Sequence, residues 1–289
     1  MASELAVAAQ TPGARLRALL DRPDQVLAVL GVPSALQGQI MERAHVEAGF
    51  VGTNLTFKNV TGLPDTGVAS ANECVTLGGH IARAVSFPVI LDGDTGHGTQ
   101  DAVRRLVRDC VREGMAGLRL DDQPIESKRR TQTAGILVAD RETAVSRYRA
   151  AVAARDEIDP SFVIMAQCYA RDADNGSPEE ALERLRLYCD EGGVDWCQLE
   201  APHSVDEIQR AREQVRGYFS AMKGRLPQAL TLEQHRRLGL DAAWYTFIPS
   251  QVLMAASLEF LDGFSADGIE AWNAYRDGHA DTFERLKDL

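Results

Sequence analysis

The sequence predicts a closed (β/α)8 barrel of the TIM type, on three observations. Eight short apolar runs alternate with longer amphipathic ones. Glycines close many of the amphipathic runs. No glycine-rich dinucleotide fingerprint follows the first apolar run, where Gly-Val-Pro-Ser stands at 31–34 instead. That last point argues against the runner-up, an open doubly wound sheet.

In chain order, strands are expected at 25–30, 51–54, 88–92, 116–121, 162–166, 195–199, 218–222 and 242–247. Helices are expected between them at 34–48, 70–85, 99–113, 141–155, 178–191, 204–215 and 231–238. Gly49, Gly114, Gly192 with Gly193, and Gly239 supply helix ends. Ser177 before Pro178, with Glu180 three residues on, marks a helix start. Ser204 with Glu207 spells a capping box, and Thr231 can cap the next helix. Two further helices, at 249–262 and 267–287, lie beyond the eighth strand and can pack on their own barrel or on a neighbour. No composition break divides the chain, so residues 1–289 are read as one barrel domain with a short frayed N-terminus.

Composition narrows the function. A formal charge of −11 argues against nucleic acid or an anionic membrane as partner. Five cysteines, none in a CxxC pair, argue against zinc or a disulfide framework and fit a reducing, cytoplasmic setting. There is no signal-peptide pattern and no apolar run of membrane-spanning length.

The chemistry concentrates at the predicted strand ends, where barrel enzymes carry their sites. Residues 89–98 read Val-Ile-Leu-Asp-Gly-Asp-Thr-Gly-His-Gly. On an extended strand Asp92 and Asp94 face the same side, and two adjacent carboxylates call for a cation. Asp121 ends the next strand, and three carboxylates from two neighbouring strands suit a hard ion, Mg2+ or Mn2+. Other strand ends offer Thr53 and Asn54, then Gln167, Cys168 and Tyr169, then Glu200 as a substrate-binding candidate.

Here a resemblance becomes specific. Residues 90–98, the Arg-Arg-Leu-Val-Arg at 104–108 and the Gly-Leu-Arg-Leu-Asp-Asp-Gln at 117–123 resemble the isocitrate lyase/phosphoenolpyruvate mutase superfamily. Gly-Leu-Pro-Asp at 62–65 and Leu-Glu-Ala-Pro at 199–202 fit the same family at the right spacing, and the match runs from about residue 30 to 260. The resemblance implies Mg2+ held by Asp92, Asp94 and Asp121, directly or through water. It implies Asp65 over the substrate, and Thr53 and Asn54 in the segment that grips a substrate carboxylate. It further implies a barrel whose last helix is exchanged in a homodimer or homotetramer. The implied reaction is carbon–carbon lyase chemistry, retro-aldol cleavage or decarboxylation, on a small anionic 2-hydroxy or 2-oxo acid through a cation-stabilised enolate. The alternatives are carbon–phosphorus chemistry of the phosphonopyruvate hydrolase or mutase kind, and a non-catalytic carboxylate-binding homologue.

The departures from the family pattern are informative. Arg130 stands where the lyases carry an acid/base Cys, and an arginine does not donate a proton at neutral pH. Gln167 replaces an Arg that binds a substrate carboxylate, so Gln167 and the loop residue Arg130 become the substrate-binding candidates there. Asp121 replaces Glu, Asn54 replaces Gly and Gly93 replaces Ala. Arg119 points the same way as Asp121, so it either binds a substrate carboxylate or pairs with a buried aspartate. His97 and Tyr169 are acid/base candidates, with a turn brace and a rim aromatic as the plain readings. Lys128 and Arg129 read as a lid over an anion or as solvated loop charges, and His235 reads as a surface residue.

Overall fold

Eight parallel strands close on themselves in chain order in the computed structural model, which describes residues 10–289. The strands are β1 (Leu27–Gly31), β2 (Ala48–Val51), β3 (Val89–Asp92), β4 (Gly117–Asp121), β5 (Val163–Cys168), β6 (Trp196–Leu199), β7 (Tyr218–Ala221) and β8 (Ala242–Tyr245). Closure is made by β8 against β1, with Leu27 beside Ala242 and Val29 beside Trp244. The helices in chain order are α1 (Pro12–Leu20), α2 (Ala35–Arg43), α3 (Lys58–Thr61), α4 (Ala71–Ala84), α5 (Gln100–Arg112), α6 (Arg141–Ile158), α7 (Pro178–Asp190), α8 (Val205–Gln214) and α9 (Leu232–Arg237). Beyond β8 follow α10 (Ile248–Asp267), α11 (Ile269–Gly278) and α12 (Ala280–Leu286).

The strand period sorts side chains into two cores. Leu91, Leu118, Leu120, Ile164 and Ala166 face outward and meet the helices. Val29, Phe50, Ile90, Met165, Trp196 and Trp244 face inward and fill the barrel. Helix α1 closes the floor, where Leu16 and Leu20 join the inner core. The expectation that the first dozen residues are frayed lies outside the described part for residues 1–9 and is corrected at Thr11 and Pro12, which start α1. The start signal was present: Thr11 caps the helix through the Ala14 amide and Pro12 opens it.

The cap expectations hold at Ser177 and Thr231. At Ser204 only half of the capping box forms. Ser204 accepts from the Glu207 amide, but the Glu207 carboxylate turns to Arg171 and to the His203 amide. Strand β2 lies three residues earlier than expected. Gly49 sits in it because a Cβ there would strike Val32 and Phe87. Thr53 and Asn54 therefore follow the strand, in a widened helical turn over Thr53–Phe57. His235 is buried, and its Nδ1 donates to the Thr231 carbonyl at 2.9 Å, so the surface expectation is corrected. No helix among the described residues is long and apolar enough to cross a membrane.

Helix α10 is apolar yet lies outside the cores. Val252, Met254, Leu258 and Leu261 are each more than half exposed. It packs on α11, where Phe260 meets Trp272 and Tyr275 edge-on.

Candidate active site

The upper, C-terminal end of the barrel interior is polar where the floor is apolar. Strand β3 ends at Asp92, and the chain then turns so sharply that Asp94 takes a left-handed φ of 46°. Strand alternation therefore does not align the two aspartates, as the sequence reading assumed. The turn does, while Asp94 stays paired to β4 through the Asp121 amide at 2.8 Å. Gly93 between them packs outward against Leu118 and Leu120, with no room for a Cβ.

One cavity gathers most of the candidates. Asn54, Asp65, Asp92, Asp94, Arg119, Asp121, Gln167, Tyr169 and Glu200 all line it, together with Lys128 and Thr131 from the loop after β4. Thr53 stands just behind, its hydroxyl 3.0 Å from Asp94 Oδ1 and 3.1 Å from Asp65 Oδ1. Two candidates lie apart. His97 does not line this cavity, and burial lowers its pKa, so its ring is neutral near pH 7. Arg130 lines a second, larger cavity that shares Asn54, Thr131, Met222, Thr246 and Phe247 with the first.

Charge balance across the cavity is uneven. Arg119 Nη2 donates to Asp92 Oδ2 at 2.9 Å, Nη1 to Gln198 Oε1 at 3.2 Å, and the guanidinium lies 4.4 Å from the Phe50 ring centre. The buried Arg–Asp pair foreseen at Arg119 is thus formed, and the same group faces the cavity. Lys128 pairs with Asp65 and, at 2.7 Å, with Asp94. These two cations face four carboxylates. Burial, aided by the Asp92 charge, raises Asp94 to about 6, against the lowering pull of Lys128. Burial likewise raises Asp121 to about 7, although Lys128 opposes it. The cradle is short of positive charge.

On the opposite wall Glu200 is fully enclosed. Gln167 Nε2 donates to it at 2.7 Å and the Thr131 hydroxyl bonds its other oxygen. Burial is the main cause that raises the Glu200 pKa. Tyr169 is held by its amide on Asp122 Oδ1 at 2.9 Å, and burial keeps its phenol protonated far above neutrality. Asp122 is itself fixed by the Tyr188 hydroxyl at 2.6 Å. Cys168 is a buried thiol.

The donor set fits Mg2+. It is all oxygen, and Asp94 Oδ2 is buried without a hydrogen-bond partner. Among the described residues no three of His, Cys, Asp and Glu converge to ligate one ion directly. Mg2+ does not need that, since it keeps several waters and binds through one or two carboxylates.

Sequence reasoning undervalued Lys128. It sits beside two arginines, a run that normally reads as solvated. Its burial depends on Gln123, whose side chain grips the Arg129 backbone at both N–H and C=O, 2.9 and 3.0 Å away. The Gln of the Asp-Asp-Gln motif was the available signal.

Comparison with known proteins agrees with the barrel fold. The profile of the family described as phosphoenolpyruvate phosphomutase matches residues 16–261. A 2,3-dimethylmalate lyase from Eubacterium barkeri is 31% identical over 258 residues, covering 88% of this chain and 85% of that protein. A crystal structure of 2,3-dimethylmalate lyase superposes with a TM-score of 0.80 at 26% identity, covering 90% of this chain and 86% of that one. Phosphonopyruvate hydrolase, solved with oxalate and Mg2+, shares the fold at a TM-score of 0.78 and 22% identity, over 94% and 99% of the two chains. With the closed barrel, the carboxylate cradle and these matches together, the chain belongs to the isocitrate lyase/phosphoenolpyruvate mutase superfamily and is an enzyme of its lyase type.

Proposed function

We propose that this chain is a Mg2+-dependent carbon–carbon lyase that cleaves a small 2-hydroxy or 2-oxo carboxylic acid through an enolate. The observation that carries the reading is the under-compensated cradle of Asp65, Asp92, Asp94 and Asp121 around one orphaned oxygen. A divalent cation there would stabilise negative charge that develops on the substrate's oxygens.

The chain's own groups take the remaining tasks. Asp92, Asp94 and Asp121 hold the ion, directly or through water. Arg119 fixes Asp92 and presents positive charge to a substrate carboxylate. Thr53 holds Asp65 and Asp94 in register, and Asn54 borders both cavities, where a carboxylate arrives. Tyr169, neutral and facing the cavity, is the proton donor to the departing carbanion, the task the missing loop Cys leaves open. Gln167 and Thr131 orient Glu200, which receives the proton of the substrate hydroxyl. The adjoining cavity, about 550 Å3 and lined by Arg130, Lys223 and Trp244, receives the departing anionic fragment. His97, at a positive φ in the glycine turn, takes no part in this chemistry.

We also assign α10–α12 to a homodimer or homotetramer contact, because the exposed apolar side chains of α10 need a partner of their own kind. Light scattering that finds only monomer excludes that assignment. The composition supports a cytoplasmic setting.

The test is product analysis by NMR. Alkylmalates, oxaloacetate, 2-methylisocitrate and phosphonopyruvate are each incubated with Mg2+ or with a chelator. Mg2+-dependent carbon–carbon cleavage of one acid is the expected result. Turnover of phosphonopyruvate alone establishes carbon–phosphorus chemistry instead. Binding of oxalate without turnover of any acid establishes a carboxylate-binding homologue.

A further inference from the structure

We infer that Lys128 is a charge-reading clamp, which opposes a divalent cation alone in the cradle but favours that cation together with a dianionic carboxylate ligand. The inference rests on the cation-dependent reading above and assigns a specificity role within it.

Three observations carry it. First, Lys128 is committed to the cradle: its side chain is 6% exposed and its ammonium bonds Asp65 and Asp94. Second, the one carboxylate that Lys128 shares with the proposed ion is Asp94. Oδ1 takes the ammonium and Oδ2 is the orphan left for the ion. Two cations on one buried carboxylate repel each other, so each lowers the affinity for the other. Third, the loop that carries Lys128 is also fastened across the cavity by Thr131 on Glu200, and the space beneath is only about 40 Å3. That holds a few waters, not a dicarboxylate. A ligand in the cradle therefore displaces the loop or extends into the adjoining cavity, which shares Asn54 and Thr131 with this one.

The sign of the linkage follows from charge. A bare divalent ion replaces the ammonium as counter-charge and loosens the loop. A dianionic acid on the ion returns negative charge to the site and draws Lys128 back. Specificity results, because a neutral or monoanionic ligand restores less of that pull. Arg119 does not replace Lys128 on Asp94, as its guanidinium bonds Asp92 and Gln198 instead.

Calorimetry on the full chain tests the two signs separately, with Mg2+ alone and with oxalate at saturating Mg2+. Lys128→Met is expected to bind Mg2+ alone roughly tenfold tighter, and oxalate with Mg2+ roughly tenfold weaker. Lys128→Arg keeps the charge and restores both values to near wild type. A Lys128→Met variant that weakens both affinities, or changes neither, overturns the inference. Mg2+ binding to neither wild type nor variant overturns the proposed function itself. Wild-type protein gives an independent readout through tryptic cleavage at Arg129 and Arg130, both exposed. Mg2+ alone is expected to speed that cleavage, and Mg2+ with oxalate to slow it. Slower or unchanged cleavage with Mg2+ alone overturns the inference.

Discussion

The two ends of the barrel hold carboxylates in opposite electrostatic conditions. At the floor, Asp195 meets Arg17 at 2.7 Å, Arg155 at 2.6 Å and the Ile164 amide at 2.9 Å. At the mouth, four aspartates share Arg119 and Lys128, and one oxygen of Asp94 has no partner at all. At the floor Asp195 is fully compensated, whereas the mouth is under-supplied with positive charge. A charge that the fold fully satisfies serves stability. Charges that the fold leaves wanting mark the place where something else binds.

Substitutions separate the two ends. Asp121→Asn removes a cradle charge while keeping an oxygen for the Gln123 amide, 3.2 Å away. It is expected to lower kcat/KM by about a thousandfold or more. Its metal-free Tm stays level or rises, since a buried like-charge is lost. Steady-state kinetics and melting curves report the two effects. Asp195→Asn does the reverse, because it removes the carboxylate that Arg17 and Arg155 share. Denaturant titration is expected to show a loss of about 2–4 kcal/mol, discounted for partial solvent access, with kcat unchanged. If Asp195→Asn also abolishes turnover, the division between the ends is wrong.

Arg119 links the mouth to the apolar middle of the barrel, so its removal has a mixed effect. Arg119→Met strands Asp92 and is expected to cost about 2 kcal/mol without metal. Saturating Mg2+ recovers part of that loss, which melting with and without the ion measures. The smallest effect is expected at His97. His97→Asn keeps a residue that tolerates the positive φ of 56°. Activity within about threefold of wild type fits a turn brace. A loss of about a hundredfold gives His97 a catalytic role instead.

The floor and mouth also differ in how far the sequence revealed them. All eight strands were legible from apolar runs and glycine stops, because burial on both faces leaves that pattern. Helix α1 was missed, since only Gly13, Leu16 and Leu20 are buried and its apolar stripe is short. Asp92 and Asp121 were legible because they end strands β3 and β4, whereas Asp94 lies in the turn beyond and Asp65 was reached only through the family resemblance. Lys128 was not legible by itself. Its place depends on a loop that folds back 63 residues in sequence to reach Asp65, and the one nearby signal was Gln123, which anchors the Arg129 backbone. His235 was misread for a related reason: only tertiary packing against Tyr245 and the helix start buries it.

The raised carboxyls at the mouth give the account a pH signature. Asp94 and Asp121 titrate near 6 and 7 when folded, above the ordinary value of about 3.9. Their contribution to stability is therefore complete below about pH 4 and is lost as pH rises through those folded values. Over the same window the ion gains affinity, because its ligands no longer have to shed protons.

The most direct measurement is thermal unfolding with and without saturating Mg2+, at about pH 5 and about pH 8, for wild type and Asp121→Asn. The expected result is a rise in wild-type Tm on adding Mg2+ that is clearly larger at the higher pH and nearly absent in Asp121→Asn. No change in wild-type Tm at either pH, or an equal gain in the variant, would contradict the account that the under-compensated mouth is a divalent-cation site.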